Sequence, residues 1–158
     1  MREWVKISFV MGFVVFAATS CDDEPSFPIT PAVMDLEVIP KGNNLADLNF
    51  SFTDGDGDLG WTEASEAGGQ KDIDIEYFEM VDTEWVLVPN IDLDQVLTPN
   101  LTPAGQDKYL EGIISVEIGF PPRVSGDLSN ADSIRFAVRL LDRAGHVSEF
   151  TYSELILP

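Results

Sequence analysis

The chain of 158 residues contains one cysteine, Cys21, and one histidine, His146. A single cysteine excludes disulfides within the chain and every Cys-x-x-Cys metal or redox motif. No serine lies in a Gly-x-Ser-x-Gly elbow, and the sequence has neither a phosphate-cradling glycine loop nor a histidine pair at metal-ligand spacing. We therefore predict that the protein is not an enzyme.

Basic residues are also scarce. Nine Lys and Arg stand against 28 Asp and Glu, which gives a formal net charge of −19. A chain this acidic repels phosphate backbones, so nucleic acid is excluded as an expected partner. Hydrophobic residues nevertheless make up 44% of the chain, enough to build one folded domain rather than an acidic disordered tail.

The N-terminal apolar run is too short to span a membrane. It covers residues 7–18 behind the basic residues Arg2 and Lys6, and a helix of this length reaches about 18 Å against about 30 Å of hydrocarbon. Basic residues, a short apolar run and then small side chains are typical of a secretory signal. We predict a cleaved signal peptide over residues 1–20.

The end of this run resembles a bacterial lipobox. The residues are Ala18-Thr19-Ser20-Cys21, followed by the acidic stretch Asp22-Asp23-Glu24, which resembles the export tether of Bacteroidota surface lipoproteins. The resemblance implies a diacylated (palmitate-type) Cys21, an acidic Pro-rich tether over residues 21–32, and a lipid anchor in the outer membrane at the cell surface. The periplasmic face of the membrane remains an alternative.

From residue 33 onward, apolar residues recur with period two, and Gly, Pro, Asn and Asp interrupt them at short intervals, which predicts an all-β domain over residues 33–158. The predicted strands cover residues 33–39, 45–53, 72–81, 84–89, 108–120, 133–142 and 146–157. Trp85 lies at an alternating apolar position of the fourth predicted strand and is predicted to be in the core. Seven strands favour an antiparallel β-sandwich.

The last two strands carry a family resemblance. Residues 138–148, Val-Arg-Leu-Leu-Asp-Arg-Ala-Gly-His-Val-Ser, resemble the closing hairpin of bacterial immunoglobulin-like and fibronectin-III-like domains. The resemblance implies a seven-stranded sandwich in which the third and sixth strands are neighbours, and it implies no catalytic activity. Arg135 and Arg139 would then lie opposite the carboxylates of Asp72, Asp74 and Glu76.

Between the second and third strands, Asp54, Asp56 and Asp58 alternate with glycine. Carboxylates at this spacing on a glycine-containing loop can surround one Ca²⁺, which takes six to eight oxygen ligands. The loop is not an EF-hand, because its twelfth position is Ser65, which offers no carboxylate. Residues 50–60 resemble loops of uncharacterised Bacteroidota lipoproteins, and the Asp pattern resembles calcium loops of exported bacterial domains. A solvated turn without an ion is the alternative.

A fibronectin-III-like strand order places the loops after strands two, four and six at one end of the sandwich. Asp142 is therefore predicted to join the Asp54 loop as a metal ligand, with Asp92 or Asp94 as further candidates. Trp61 follows the loop directly. It is a candidate ligand contact, or alternatively a cover for the edge of the core.

These patterns lead to three functional hypotheses. The leading one is a lipid-anchored envelope protein that acts as a calcium-stabilised binding or adhesion module for a glycan or protein at the cell surface. The second is a structural or accessory subunit of an outer-membrane complex. The third and weakest is a hydrolase, because carboxylate pairs carry little information in so acidic a chain.

Overall fold

The structure is a computed structural model of the whole chain. It describes residues 26–43, 45–61, 71–89, 93, 98–102, 109–119, 133–154 and 156. The predicted signal peptide, Cys21 and the first part of the predicted tether lie outside these residues. Within them, no helix has the length and apolar character that a membrane crossing requires.

The described part of the chain folds into two antiparallel sheets and contains no helix. Its strands are β1 (Ala32–Gly42), β2 (Leu45–Asp54), β3 (Ile73–Val81), β4 (Glu84–Leu87), β5 (Leu110–Gly119), β6 (Ile134–Leu140) and β7 (Thr151–Tyr152). One sheet has the order β1-β2-β5 and the other β4-β3-β6-β7. The prediction of an all-β fold built from antiparallel sheets is confirmed.

Alternation of buried and less buried residues along most of β2 and β5 places the core between the sheets. In β2 the buried Leu48 and Phe50 alternate with half-buried polar residues, and in β6 the buried Phe136 packs its ring 5.3 Å from that of Tyr77 in β3. The core consists mainly of Val33, Leu36, Ala46, Leu48, Phe50, Phe52, Leu59, Ile73, Tyr77, Ile114, Val116, Ile118, Ile134, Phe136, Val138 and Leu140. The period-two pattern is therefore the sequence feature that determines which residues are buried.

Residues that precede β1 also contact the sandwich. The ring of Phe27 lies 5.8 Å from that of Tyr109, and the Gly55 N–H donates to the Pro28 carbonyl at 2.9 Å. Both Phe27 and Pro28 belong to the segment predicted as tether. The second half of that segment therefore packs on the domain instead of extending away from it.

The last strand is shorter than predicted. Strand β7 spans two residues of the predicted 146–157, although an isolated bridge still joins Ile156 to Ile134. The hydroxyl of Ser148 accepts the Leu140 N–H at 2.9 Å, and that of Ser153 accepts the Phe136 N–H at 3.1 Å. Serine side chains thus replace backbone carbonyls beside β6, which interrupts the regular ladder.

On the outer face of the four-stranded sheet, the predictions for Arg135 and Trp85 are wrong. Arg139 pairs with Asp74 as predicted, with its Nη2 atom 2.7 Å from Asp74 Oδ2. Arg135 instead lies opposite Phe78, and its guanidinium carbon is 4.4–5.1 Å from the ring centroids of Phe78, Trp85 and Tyr152. Trp85 is therefore half-buried on the outer face and not in the core, because its register partner, Met80, shares that face with Arg135.

We expect Arg135→Lys to lower the free energy of unfolding by roughly 1 to 2 kcal/mol, because a compact ammonium cannot stack flat against three rings. Urea denaturation should show this loss equally at 0.05 and 0.5 M NaCl, since no carboxylate of the described residues pairs with Arg135. For Arg139→Lys, which disturbs the Asp74 ion pair, the loss should shrink with salt. A loss for Arg135→Lys that disappears at high salt would contradict the ring-stacking explanation.

Candidate metal centre

Four aspartates meet at one end of the sandwich. Asp54 is the last residue of β2, Asp56 and Asp58 lie in the loop that follows, and Asp142 comes two residues after β6. One carboxylate oxygen from each lies within 4.8 Å of the others, so the four could hold a metal ion. The structure thus brings Asp142 to the loop as predicted, while Asp92 and Asp94 lie outside the described residues.

The carboxylate of Asp54 shapes its own loop. Its Oδ2 atom accepts hydrogen bonds from the N–H groups of Asp58 at 3.0 Å and Leu59 at 3.2 Å, which curls the chain around the carboxylate. Gly57 occupies the left-handed region with φ 63°. The fully buried Leu59 side chain anchors the end of the curl in the core, so the loop is held from both sides.

Gly55 and Gly60 serve close packing more than flexibility. A Cβ at Gly55 would collide with the backbone carbonyl of Phe27, and one at Gly60 would collide with that of Pro99. Gly60 also has φ 84°, where other residues are strained. The glycines therefore allow two neighbouring segments to press against the aspartate loop.

Asp142 is held in place by His146. The backbone N–H of His146 donates to Asp142 Oδ1 at 2.7 Å, and its Nδ1 atom lies 2.7 Å from Asp142 Oδ2. The hydrogen bond to Asp142 raises the pKa of His146, and the nearby charge of Asp142 and of the loop carboxylates acts in the same direction. His146 thus closes the hairpin turn and orients a candidate metal ligand.

Arg143 is a structural residue that sequence reasoning missed. Its Nη1 atom donates to the Gly60 carbonyl at 2.5 Å and to Asn100 Oδ1 at 3.2 Å, and its Nη2 atom donates to Thr102 Oγ1 at 2.6 Å. It therefore ties the hairpin to the aspartate loop and to residues 98–102. Neither a motif nor a spacing could reveal this role, because the partners are about 40 and 80 positions away and one of them is a backbone carbonyl.

Trp61 lies beside the cluster but is not part of it. Its side chain is half-buried. Its backbone N–H donates to the Thr98 carbonyl at 3.1 Å, and the residue forms an isolated β-bridge with Pro99. Thr98 is fixed in turn by the buried carboxylate of Asp72, which accepts both its N–H, at 2.7 Å, and its hydroxyl. Residues 98–102 therefore connect the end of the aspartate loop, at Leu59 and Trp61, to Asp72 and Arg143.

The cluster carries more negative charge than its basic neighbours Arg143 and His146 offset. The Oδ1 atoms of Asp54, Asp56 and Asp58 are buried and have no hydrogen-bond partner among the described residues. Burial raises the pKa of Asp54 to about 6, with further contributions from the adjacent Asp56 carboxyl and from the charges of Asp58 and Asp142. Burial and the charges of Asp142 and Asp56 also raise the pKa of Asp58, while Arg143 opposes the rise. A cation or a proton is needed to relieve this repulsion.

A cavity of about 370 Å³ adjoins the cluster. Its lining comprises Lys71, Asp74, Leu141, Asp142 and Gly145. Asp142 is therefore shared between the cavity and the aspartate cluster. A molecule in the cavity would lie next to the candidate metal centre.

Comparisons of the chain with protein-family models, curated proteins and solved structures found no match. Function must therefore be inferred from the residues of the site. The two informative features are the oxygen-only donor set of the four aspartates and the orphaned buried oxygens within it.

We expect Asp54→Asn to stabilise the metal-free protein at pH 7. A folded-state pKa of about 6, against an ordinary 3.8, means that Asp54 favours folding below pH 4 and that this contribution is lost as pH rises through 6. This difference between the folded and ordinary pKa corresponds to about 2 to 3 kcal/mol. Urea denaturation in buffers stripped of calcium should show a larger gain for Asp54→Asn at pH 7.5 than at pH 4.

The matched control is Asp82→Asn, which removes one exposed charge from the β3–β4 turn and keeps a residue type that tolerates its positive φ. This variant measures the effect of lowering the overall negative charge alone. Equal gains for the two variants at pH 7.5 would contradict a special role for burial at Asp54.

Proposed function

We propose that the protein is a lipid-anchored envelope protein whose β-sandwich is a calcium-stabilised binding or adhesion module. The observation that carries the calcium part of the proposal is the set of three buried, unpartnered carboxylate oxygens on Asp54, Asp56 and Asp58. Buried charged groups are strongly destabilising unless they are paired or coordinate a metal. A cation bound at this cluster would satisfy all three oxygens at once.

The chemistry of the donors favours Ca²⁺ over other metals. All four side chains offer hard carboxylate oxygens, which suit Ca²⁺ or Mg²⁺ better than zinc or copper. Ca²⁺ accepts irregular geometry with six to eight ligands, and bidentate carboxylates, loop carbonyls and water can complete such a shell. Mg²⁺ requires a strict octahedron, which four aspartates on two separate chain segments satisfy less readily.

The strand order supports the proposal that the sandwich is of the immunoglobulin-like, fibronectin-III-like type. Strands β3 and β6 are neighbours in one sheet, and the loops after β2 and β6 meet at one end, as that order requires. No catalytic step is proposed, and His146 is assigned the role of orienting Asp142, to which it hydrogen-bonds.

Binding would take place at the end of the sandwich that the cation stabilises. Trp61, residues 98–102 and the cavity beside Asp142 all lie against the aspartate cluster or the segments tied to it. A cation there would hold the presenting loops rigid, which lowers the entropy cost of binding a glycan or a protein. The lipid on Cys21 would keep this end near the outer membrane, at the cell surface.

We expect calorimetric titration of the mature protein with CaCl₂ to give saturable binding with one ion per chain. Ligand binding to the folded state alone raises stability, so the melting temperature should rise with calcium concentration. Asp56→Asn should weaken binding at least tenfold, because it removes a charged ligand without disturbing the Asp54 hydrogen bonds that shape the loop. Asp82→Asn should bind calcium as the wild type does.

Two results would refute the calcium proposal. One is the absence of calcium heat together with an unchanged melting temperature. The other is an equal loss of affinity in Asp56→Asn and Asp82→Asn, which would show that calcium responds to overall charge and not to the cluster.

We also expect the chain to incorporate radioactive palmitate when it is produced in a bacterium that processes lipoproteins. The Cys21→Ala variant should lose the label, because the thiol is the attachment atom. One acyl chain anchors a protein only marginally and two hold it stably, so the variant should also leave the membrane fraction. Unlabelled wild type would contradict the lipid anchor without affecting the calcium proposal.

A further inference from the structure

Strand β5 has the features of an interaction edge. It lies at one side of the three-stranded sheet and, among the described residues, pairs with β2 alone. The β2–β5 register runs from Leu110 to Gly119 without a shift. The opposite edge strand, β1, is interrupted by two register shifts and contains Pro40, which are devices that protect an edge from pairing.

The outer face of β5 carries an exposed apolar side chain. Ile113 is 77% exposed, the highest value among the large hydrophobic residues described. It lies opposite Ser51 in β2, and Ser51 lies opposite Met34 in β1, which is 40% exposed. A row with two exposed apolar residues thus crosses the sheet and ends at the β5 edge.

We propose that β5 pairs antiparallel with β5 of a second copy of this chain, in a register centred on Ile113. A strand that pairs with itself about a two-fold axis forms a self-complementary interface, the commonest arrangement in homodimers. The two three-stranded sheets would join into one of six strands. The exposed row would then continue across the axis, with the two Ile113 side chains in contact.

Charge selects this register over its neighbours. With Ile113 opposite Ile113, each Glu111 faces Ser115 of the other copy. The nearest registers that keep the same side chains on the outer face are centred on residue 112 or on residue 114. The first puts Glu111 opposite Ile113 of the other copy, and the second puts Glu111 opposite Glu117. The first alternative sets a charge against an apolar side chain. The second sets Glu111 against Glu117, which already pairs with Lys41 of its own chain, so a further carboxylate there adds like-charge repulsion.

The association is expected to be weak and to depend on salt. A single pair of strand edges is small compared with the roughly 1,200 Å² of a stable interface. Two chains of net charge −19 also repel each other, and salt screens that repulsion over about 8 Å at 0.15 M. Dimer formation should therefore increase between 0.05 and 0.5 M NaCl, unlike an association held by ion pairs.

The test is disulfide cross-linking of Ile113→Cys in the full chain carrying Cys21→Ser, so that the introduced thiol is the only one. Directly opposed residues in antiparallel strands have Cα atoms about 4.5–5.5 Å apart, within the range that a disulfide spans. We expect a covalent dimer on mild oxidation. Ser115→Cys is the matched control, because in this register it faces Glu111 and not itself.

Sedimentation of the uncross-linked protein supplies the second readout. The wild type should show a monomer–dimer equilibrium that shifts at least tenfold toward monomer in Ile113→Glu. Circular dichroism should show that this variant stays folded, since the side chain is exposed. Equal cross-linking of Ile113→Cys and Ser115→Cys, cross-linking only to a different protein, or a wild type that stays monomeric at 0.5 M NaCl would each overturn the proposal.

Discussion

The repulsion among four aspartates at one end of the sandwich is the constraint on which the organisation of that end depends. Folding removes three of their oxygens from water without supplying a donor from the described residues, and such burial is costly. The surrounding hydrogen bonds offset only part of the charge, and they fix the positions of the carboxylates. Asp54 is bonded to the backbone of its own loop, and Asp142 is bonded to His146. The fold therefore fixes four carboxylates at positions where they could hold a cation.

The cluster lies where the two sheets meet, so a bound cation would link them. Asp54 ends β2 in the three-stranded sheet, whereas Asp142 follows β6 in the four-stranded sheet. An ion shared by these two residues would connect the two sheets at this end. Arg143 makes a second connection at the same end through Gly60 and Thr102. No disulfide is available in a chain with one cysteine, so these polar links add to the packing of Leu59 in the core and of Phe27 against Tyr109 at this end.

Sequence patterns predicted the parts of this arrangement that depend on periodicity and strand order. Alternation identified the buried faces of β2, β3 and β6, and a fibronectin-III-like order was sufficient to bring Asp142 to the Asp54 loop. Side-chain partners on the outer face were predicted less well. Arg135 stacks on aromatic rings and does not face a carboxylate, because the register sets it opposite Phe78. Strand β7 is shortened because Ser148 and Ser153 compete for the N–H groups of β6, which a period-two pattern does not show.

The distribution of positive charge limits the kind of partner that this domain can bind. Of the five basic residues described, Lys41 pairs with Asp47 and Glu117, Arg139 with Asp74, Arg143 bonds to the loops, and Arg135 is enclosed by aromatic rings. Lys71, which lines the cavity beside Asp142, is the remaining one. Since the internal contacts engage most of the cationic groups, the excess of carboxylates dominates the field outside the domain. Such a field attracts cations and repels polyanions, so under the proposed function a neutral glycan or a basic protein surface would suit this domain better than a sulfated or phosphorylated ligand.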